Sequence, residues 1–143
     1  DGPAAQKLYV RPLDRFEFQP LAGTEGVMWV TNSRDGRNLL FLASTGPATA
    51  GQRLAMVPVD GSAPATTLAE LPTFTYRVVE LPSGDILYTD GQTALARLSR
   101  TGDTQPTSIK MDVGRPNVAF VSLVGSALPG ATVGIIFSGG YIE

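Results

Sequence analysis

Leu8-Tyr9-Val10-Arg11-Pro12-Leu13-Asp14-Arg15 and Leu54-Ala55-Met56-Val57-Pro58-Val59-Asp60-Gly61 lie over one another without a gap. Both open on Leu, run through a short apolar stretch, and close on Pro, an apolar residue and Asp. Leu95-Ala96-Arg97-Leu98-Ser99-Arg100-Thr101-Gly102 is a weaker third copy that keeps the leading Leu and the closing Gly. The copies start at residues 8, 54 and 95, so a unit recurs every 41–46 residues. The flanks repeat in step. Arg34-Asp35-Gly36 precedes Leu39-Leu40-Phe41-Leu42, Pro82-Ser83-Gly84 precedes Ile86-Leu87-Tyr88, and Gly125 to Gly130 precedes Val133-Gly134-Ile135-Ile136-Phe137. Pro64 and Pro106 each follow the repeated stretch, ahead of strand signals around Leu68 and Ile109.

The stretches between these turns are short, rich in Val, Leu, Ile and aromatics, and bounded by Gly, Pro, Asp or Ser, which is the signature of strands. They predict strands over 7–13, 27–31, 38–43, 53–59, 66–71, 76–81, 85–89, 95–100, 108–113, 118–124 and 132–137. No window of useful length carries an uninterrupted helical period. Glycine (16) and proline (11) make up close to one residue in five of the 143, without a collagen period. Four strands per unit at a period of 40–45 residues is the period of a propeller blade. The expected fold is therefore all-β: a partial β-propeller of about three four-stranded antiparallel blades. Its parts are a half-blade over 7–22, blades over 27–71 and 75–113, and a half-blade over 117–143. Such an open arc leaves strand edges that another protein or another copy would have to cover. Two copies closing a six-bladed ring through an isologous contact is one expectation.

Composition narrows the chemistry. The chain has no histidine and no cysteine. Ser-His-Asp and Cys-His catalysis, Cys/His zinc sites and disulfides are thereby excluded within this chain. Net charge is −2, and nine arginines and two lysines are scattered without a basic stripe, which argues against nucleic-acid binding. The most apolar stretch, 118–137, is broken by Gly125, Pro129, Gly130 and Gly134, which argues against a membrane span. The sequence opens on Asp1 without an initiator Met or a signal-peptide pattern, as expected of a processed chain or a piece of a longer one. Asp35-Gly36, Asp60-Gly61 and Asp90-Gly91 read as turns, because the alternating acidic pattern of a calcium loop is missing. Gly125 to Gly130 lacks the Lys-Ser/Thr of a phosphate loop and reads as a strand connection, and Gly139-Gly140 reads as a turn or the start of a flexible end.

Lys7 to Gly26 resembles a blade segment of TolB-like propellers, in particular those attached to bacterial serine/threonine kinases. Residues 32–44 followed by 53–71 resemble the repeat of the same superfamily, whose usual turn reads Trp-Ser-Pro-Asp-Gly. Ser33, Asp35 and Gly36 stand at matching positions, while Arg34 replaces the proline and Asn32 the tryptophan. The resemblance implies an extracytoplasmic, periplasmic location. It also implies a non-catalytic interaction or scaffold role, as a sensor-type propeller or an accessory subunit of a larger, membrane-bound complex, with protein partners and no cofactor or metal. Two other readings stand beside it: a small ligand in the central channel, or a gating propeller whose hydrolase domain lies elsewhere. The candidate binding residues are Trp29, Tyr76, Arg77 and Glu80, placed on channel-lining strands, and Phe16 and Phe18, which flank Glu17 and would anchor a partner. One of those two phenylalanines is expected in the core.

Overall fold

The computed structural model describes residues 6–46, 51–71, 74–75, 77–90, 94–100, 105–109, 118–124 and 136–141. Among them there is no helix, and every strand pairing is antiparallel. The chain divides into two compact units, residues 1–72 and 73–143.

The first unit begins with a small hairpin, β1 (Tyr9–Val10) and β2 (Gln19–Pro20). A four-stranded meander follows: β3 (Val27–Asn32), β4 (Asn38–Ser44), β5 (Gln52–Pro58) and β6 (Thr66–Leu71), hydrogen-bonded in chain order. The alternation of side chains in strands explains the core. On one face Phe41, Ala43, Ala55 and Val57 pack with Val27 and with Leu21 of the hairpin, and Leu8, Val10, Leu39 and Ala65 close around them. Leu40, Leu42 and Leu54 point to the opposite face and are equally buried. A strand buried on both sides reads as an unbroken apolar run, as Leu39-Leu40-Phe41-Leu42 does.

Polar bonds close the hairpin and tie it to this sheet. The hydroxyl of the fully buried Thr24 donates to the Leu21 carbonyl at 2.7 Å and accepts from the Leu8 N–H at 3.0 Å. Gly26 N–H donates to Gln6 O at 2.8 Å while Gly26 O accepts from Ser44 N–H at 2.9 Å, so the chain passes between hairpin and sheet at this point. Its φ is +75°, and a Cβ here would lie 3.0 Å from the Ser44 carbonyl, so the position requires glycine on both counts. Arg53 donates to Gly23 O at 2.7 Å and lies over the Phe41 ring at 5.5 Å, which covers the rim of the core with a cation.

The second unit carries the meander β7 (Val78–Glu80), β8 (Ile86–Asp90), β9 (Ala94–Leu98) and β10 (Thr107–Ile109), again bonded in chain order, and the pair β11 (Val118–Val124) and β12 (Ile136–Tyr141). Leu87 and Leu95 form a small core with Val79, Leu81 and Ile109.

The repeated motifs become repeated turns. Pro12 O accepts from Arg15 N–H, and Pro58 O from Gly61 N–H, each at 3.1 Å. Gly36 N–H donates to Ser33 O at 3.0 Å, and Gly84 N–H to Leu81 O at 2.9 Å, both glycines with positive φ. The expected strands over 27–31, 38–43, 53–59 and 66–71 are present within a residue or two as β3 to β6.

Three expectations are corrected. The strand expected over 7–13 is only Tyr9–Val10, because Pro12 carries no N–H and starts a turn. Of the strand expected over 76–81, the described residues place Val78–Glu80 in β7 and leave Arg77 and Leu81 outside it, since Leu81 already belongs to the turn through its bonds with Asp85 and Gly84. Gly139-Gly140 is not a turn: it lies inside β12, where Gly140 faces Phe120 and Gly139 faces Val121 in the ladder. Backbone pairing with β11 outweighs the weak strand preference of glycine there. Residues 132–135 and 110–113 of two further expected strands lie outside the described residues, as does the connection over 125–130.

Candidate interaction surface

The structure describes five of the six candidate residues, in three settings. Phe16 and Phe18 share the loop 11–18 that joins β1 to β2. Trp29 sits half-buried in β3 of the first unit, opposite Leu42 of β4. Arg77 and Glu80 belong to the second unit, and Tyr76 lies outside the described residues.

Both phenylalanines are exposed, Phe16 at 92% and Phe18 at 68%, so neither joins the core. The reason is packing. Leu8, Val10 and Leu21 already fill the space between hairpin and sheet, and the turn at Pro12 turns the next residues outward. Sequence reasoning missed two more members of the surface: Leu13, 97% exposed, and Tyr9, 59% exposed. Leu13 was hidden in an expected strand, where it would have had an inward or outward face like any other apolar residue. Four large apolar side chains thus stand on one hairpin whose base is pinned by Thr24 and Gly26. Arg11 lies over the Phe18 ring at 5.5 Å, which holds the two arms of the loop in a fixed relation. The loop carries Arg11 and Arg15 against Asp14 and Glu17, so it is electrically neutral.

Glu80 is held in an ion pair. Its side chain is 10% exposed and is paired with Arg100 at 3.3 Å. The most strongly held acid is one that sequence reasoning did not single out. Asp85, 3% exposed, accepts from the Ser83 hydroxyl at 2.9 Å, from Arg97 Nε at 2.9 Å and from Arg97 Nη2, and from the Arg100 N–H at 3.3 Å. The Arg97 hydrogen bonds, then the Ser83 hydroxyl, hold its carboxyl below the usual aspartate range. Asp85 and Arg97 stand on the same face of the sheet, since Leu87 pairs Arg97 and Asp85 lies two residues before Leu87. Paired and saturated in this way, the carboxylate locks β8 to β9 and is not free for acid–base work.

Asp35 is likewise a turn fastener. It accepts from the Ser33 hydroxyl, from Arg37 N–H at 2.9 Å and from Asn38 Nδ2 at 3.3 Å, and these bonds, Ser33 first, lower its pKa. Asp60 is lowered by its bonds to Ser62, whose N–H lies 2.9 Å away. Among the described residues no group of three or more His, Cys, Asp or Glu is placed to hold a metal ion, and no helix is long and apolar enough to cross a membrane. Comparison with protein-family models, with curated proteins and with solved structures gives no match for the chain.

Proposed function

We propose that this chain is a non-catalytic protein-binding module whose contact surface is the apolar tip of the β1–β2 hairpin. The observation that carries the reading is the exposure of Tyr9, Leu13, Phe16 and Phe18 together on one pinned hairpin. Leaving four such side chains in water opposes folding economy, and patches of this kind mark interaction sites. Aromatic anchors on a rigid base lose little freedom on binding, which is what a binding hot spot requires. Asp14 and Glu17 in the same loop oppose insertion among lipids and favour a protein partner.

In the wider reading, the two meanders are successive blades of a TolB-like propeller portion. The chain would then serve as an extracytoplasmic scaffold or accessory subunit in a larger complex. The repeated Pro12/Pro58 and Gly36/Gly84 turn bonds support that reading.

A photo-crosslinking residue in place of Phe16 tests the function in the cells that make the protein, with the same residue in place of the exposed Ser62 as control. Adducts to a protein from position 16 that vanish with Leu13→Ser/Phe18→Ser are the expected result. Equal adducts from positions 16 and 62, or none from 16, contradict it.

A further inference from the structure

The chain has no cysteine, so its sulfur chemistry rests on three methionines, Met28, Met56 and Met111. Met28 is 49% exposed and stands on β3, whose only partner strand among the described residues is β4. The ladder pairs Val27 with Ala43 and Trp29 with Leu42, so Met28 is the extra residue of a β-bulge. A bulge re-aims a side chain. Here the sulfur meets a group from β5, beyond the intervening β4: Gln52 Nε2 donates to Met28 Sδ at 3.5 Å. Gln52 is 2% exposed and faces Ser44 and Leu71 in the ladder, so its amide is held within the sheet. Met28 thus sits at a boundary, its sulfur against a buried amide and its side chain half in water. Met56, on β5, is less exposed, and Met111 lies outside the described residues.

A thioether sulfur is a weak acceptor. Its two lone pairs are inequivalent in a folded chain: oxygen added to one gives one epimer of methionine sulfoxide, and oxygen added to the other gives the opposite epimer. We infer that Met28 is a reversible oxidation site at which Gln52 decides the epimer. The amide covers one lone pair, and a small two-electron oxidant such as hydrogen peroxide reaches the other. In the reaction the free lone pair forms an S–O bond with one peroxide oxygen and the O–O bond breaks. The proton on the transferred oxygen passes to the departing hydroxide, which leaves as water. Met28 is oxidised by two electrons and the peroxide is reduced by two. The product turns an apolar side chain on an edge strand into a polar one and gives it a strong acceptor oxygen. Reduction takes two thiols of a methionine sulfoxide reductase, which become a disulfide as the oxygen departs in water. Because the chain has no cysteine, those thiols come from a separate enzyme. The site is independent of the hairpin tip and of any partner that docks there.

Treating the purified, folded chain with dilute hydrogen peroxide tests the inference. Trypsin cuts after Arg15, Arg34, Arg53 and Arg77, so Met28 and Met56 fall on separate peptides, 16–34 and 54–77. Fragmentation of the first peptide distinguishes oxygen on Met28 from oxygen on Trp29. Met28 should be oxidised several-fold faster than Met56. The isolated peptide 16–34 is then given each of the two epimer-specific reductases. One of them should remove roughly nine-tenths of the oxygen and the other only the remainder. The same chain oxidised in urea should carry the two epimers in about equal amounts. Gln52→Leu keeps the bulk of the side chain and removes the N–H, and should move the folded ratio toward equality. In the wild type, the Gln52 Nε2 resonance should shift on oxidation, because its acceptor has changed; this reading needs no variant. The inference is overturned by a Met28 that reacts no faster than Met56, or by equal removal of oxygen by the two reductases. An unequal ratio that persists in urea, a folded Gln52→Leu chain with the wild-type ratio, or an unmoved Gln52 resonance also overturns it.

Discussion

Replacing Thr24 by valine keeps the shape of the side chain and removes one oxygen. That oxygen joins two backbone groups sixteen and three residues away, accepting from Leu8 N–H at 3.0 Å and donating to Leu21 O at 2.7 Å. Thr24 is fully buried and Leu21 almost so, so water cannot take the hydroxyl's place without opening the hairpin. A lost hydrogen bond costs about 1 kcal/mol net, and a buried backbone group left without its partner costs about 1–3 kcal/mol. Thr24→Val should therefore destabilise the chain by roughly 2–4 kcal/mol, a large part of the 5–15 kcal/mol typical of a domain. Thr24→Ser keeps both bonds and loses one methyl, about 1 kcal/mol. Urea unfolding followed by fluorescence reads the effect, because Trp29, the single tryptophan, sits on β3 in the same unit. Exchange of the Leu8 amide should accelerate in step with the lost stability. A valine variant within ~0.5 kcal/mol of the wild type, or a serine variant as damaged as the valine one, would refute the view that this hydroxyl pins the hairpin.

Gly26→Ala should cost more than Gly36→Ala in the same urea assay. Both have positive φ, worth about 1–2 kcal/mol to any other residue, but only Gly26 also meets a carbonyl, that of Ser44 at 3.0 Å. Acid should destabilise the chain below about pH 4.5: Asp35, Asp60, Asp85 and Glu25 all have lowered pKa values, so their contribution is complete above the ordinary values of 3.8 and 4.5 and is lost as pH falls through the lowered folded ones. Melting temperature against pH checks this, and Asp85→Asn should flatten the acid limb more than Asp60→Asn does, since only Asp85 is buried against an arginine. At the alkaline end the sign reverses for Lys7, raised by its pairing with Glu25. Its small contribution is complete below 10.5 and is lost as pH rises through the raised folded value. Phe41→Ala, which empties the centre of the first core, should cost about 3–5 kcal/mol and lower the urea midpoint accordingly.

The sheets were legible because their signals are local. Leu39 to Leu42 is an apolar run next to Asp35-Gly36, and Ile86 to Tyr88 follows Pro82-Ser83-Gly84, so strand and turn are written side by side. The hairpin was legible only at its ends. Tyr9 and Val10 carry strand propensity, but whether Leu13 and Phe16 turn inward depends on Leu8 and Leu21 having filled the space against β4 and β5. That is a fact of packing between segments far apart in the chain. Asp85, Thr24 and Arg53 were invisible for the same reason. Each draws its role from partners 12 to 30 residues away, Arg97, Leu8 and Gly23, with no motif to announce them. The ion pair of Glu80 was equally hidden, because its partner Arg100 is twenty residues on, two residues past the end of β9.

Hydroxyl-radical footprinting reads whether a partner covers the hairpin, by comparing the dilute purified chain with the same chain in the cells that make it. Heavy labelling of Leu13, Phe16 and Phe18 is expected in the dilute chain and strong protection in the cell, with Phe41 unlabelled in both. Equal labelling of Leu13, Phe16 and Phe18 in the two states would show that nothing docks on the hairpin and would contradict the account.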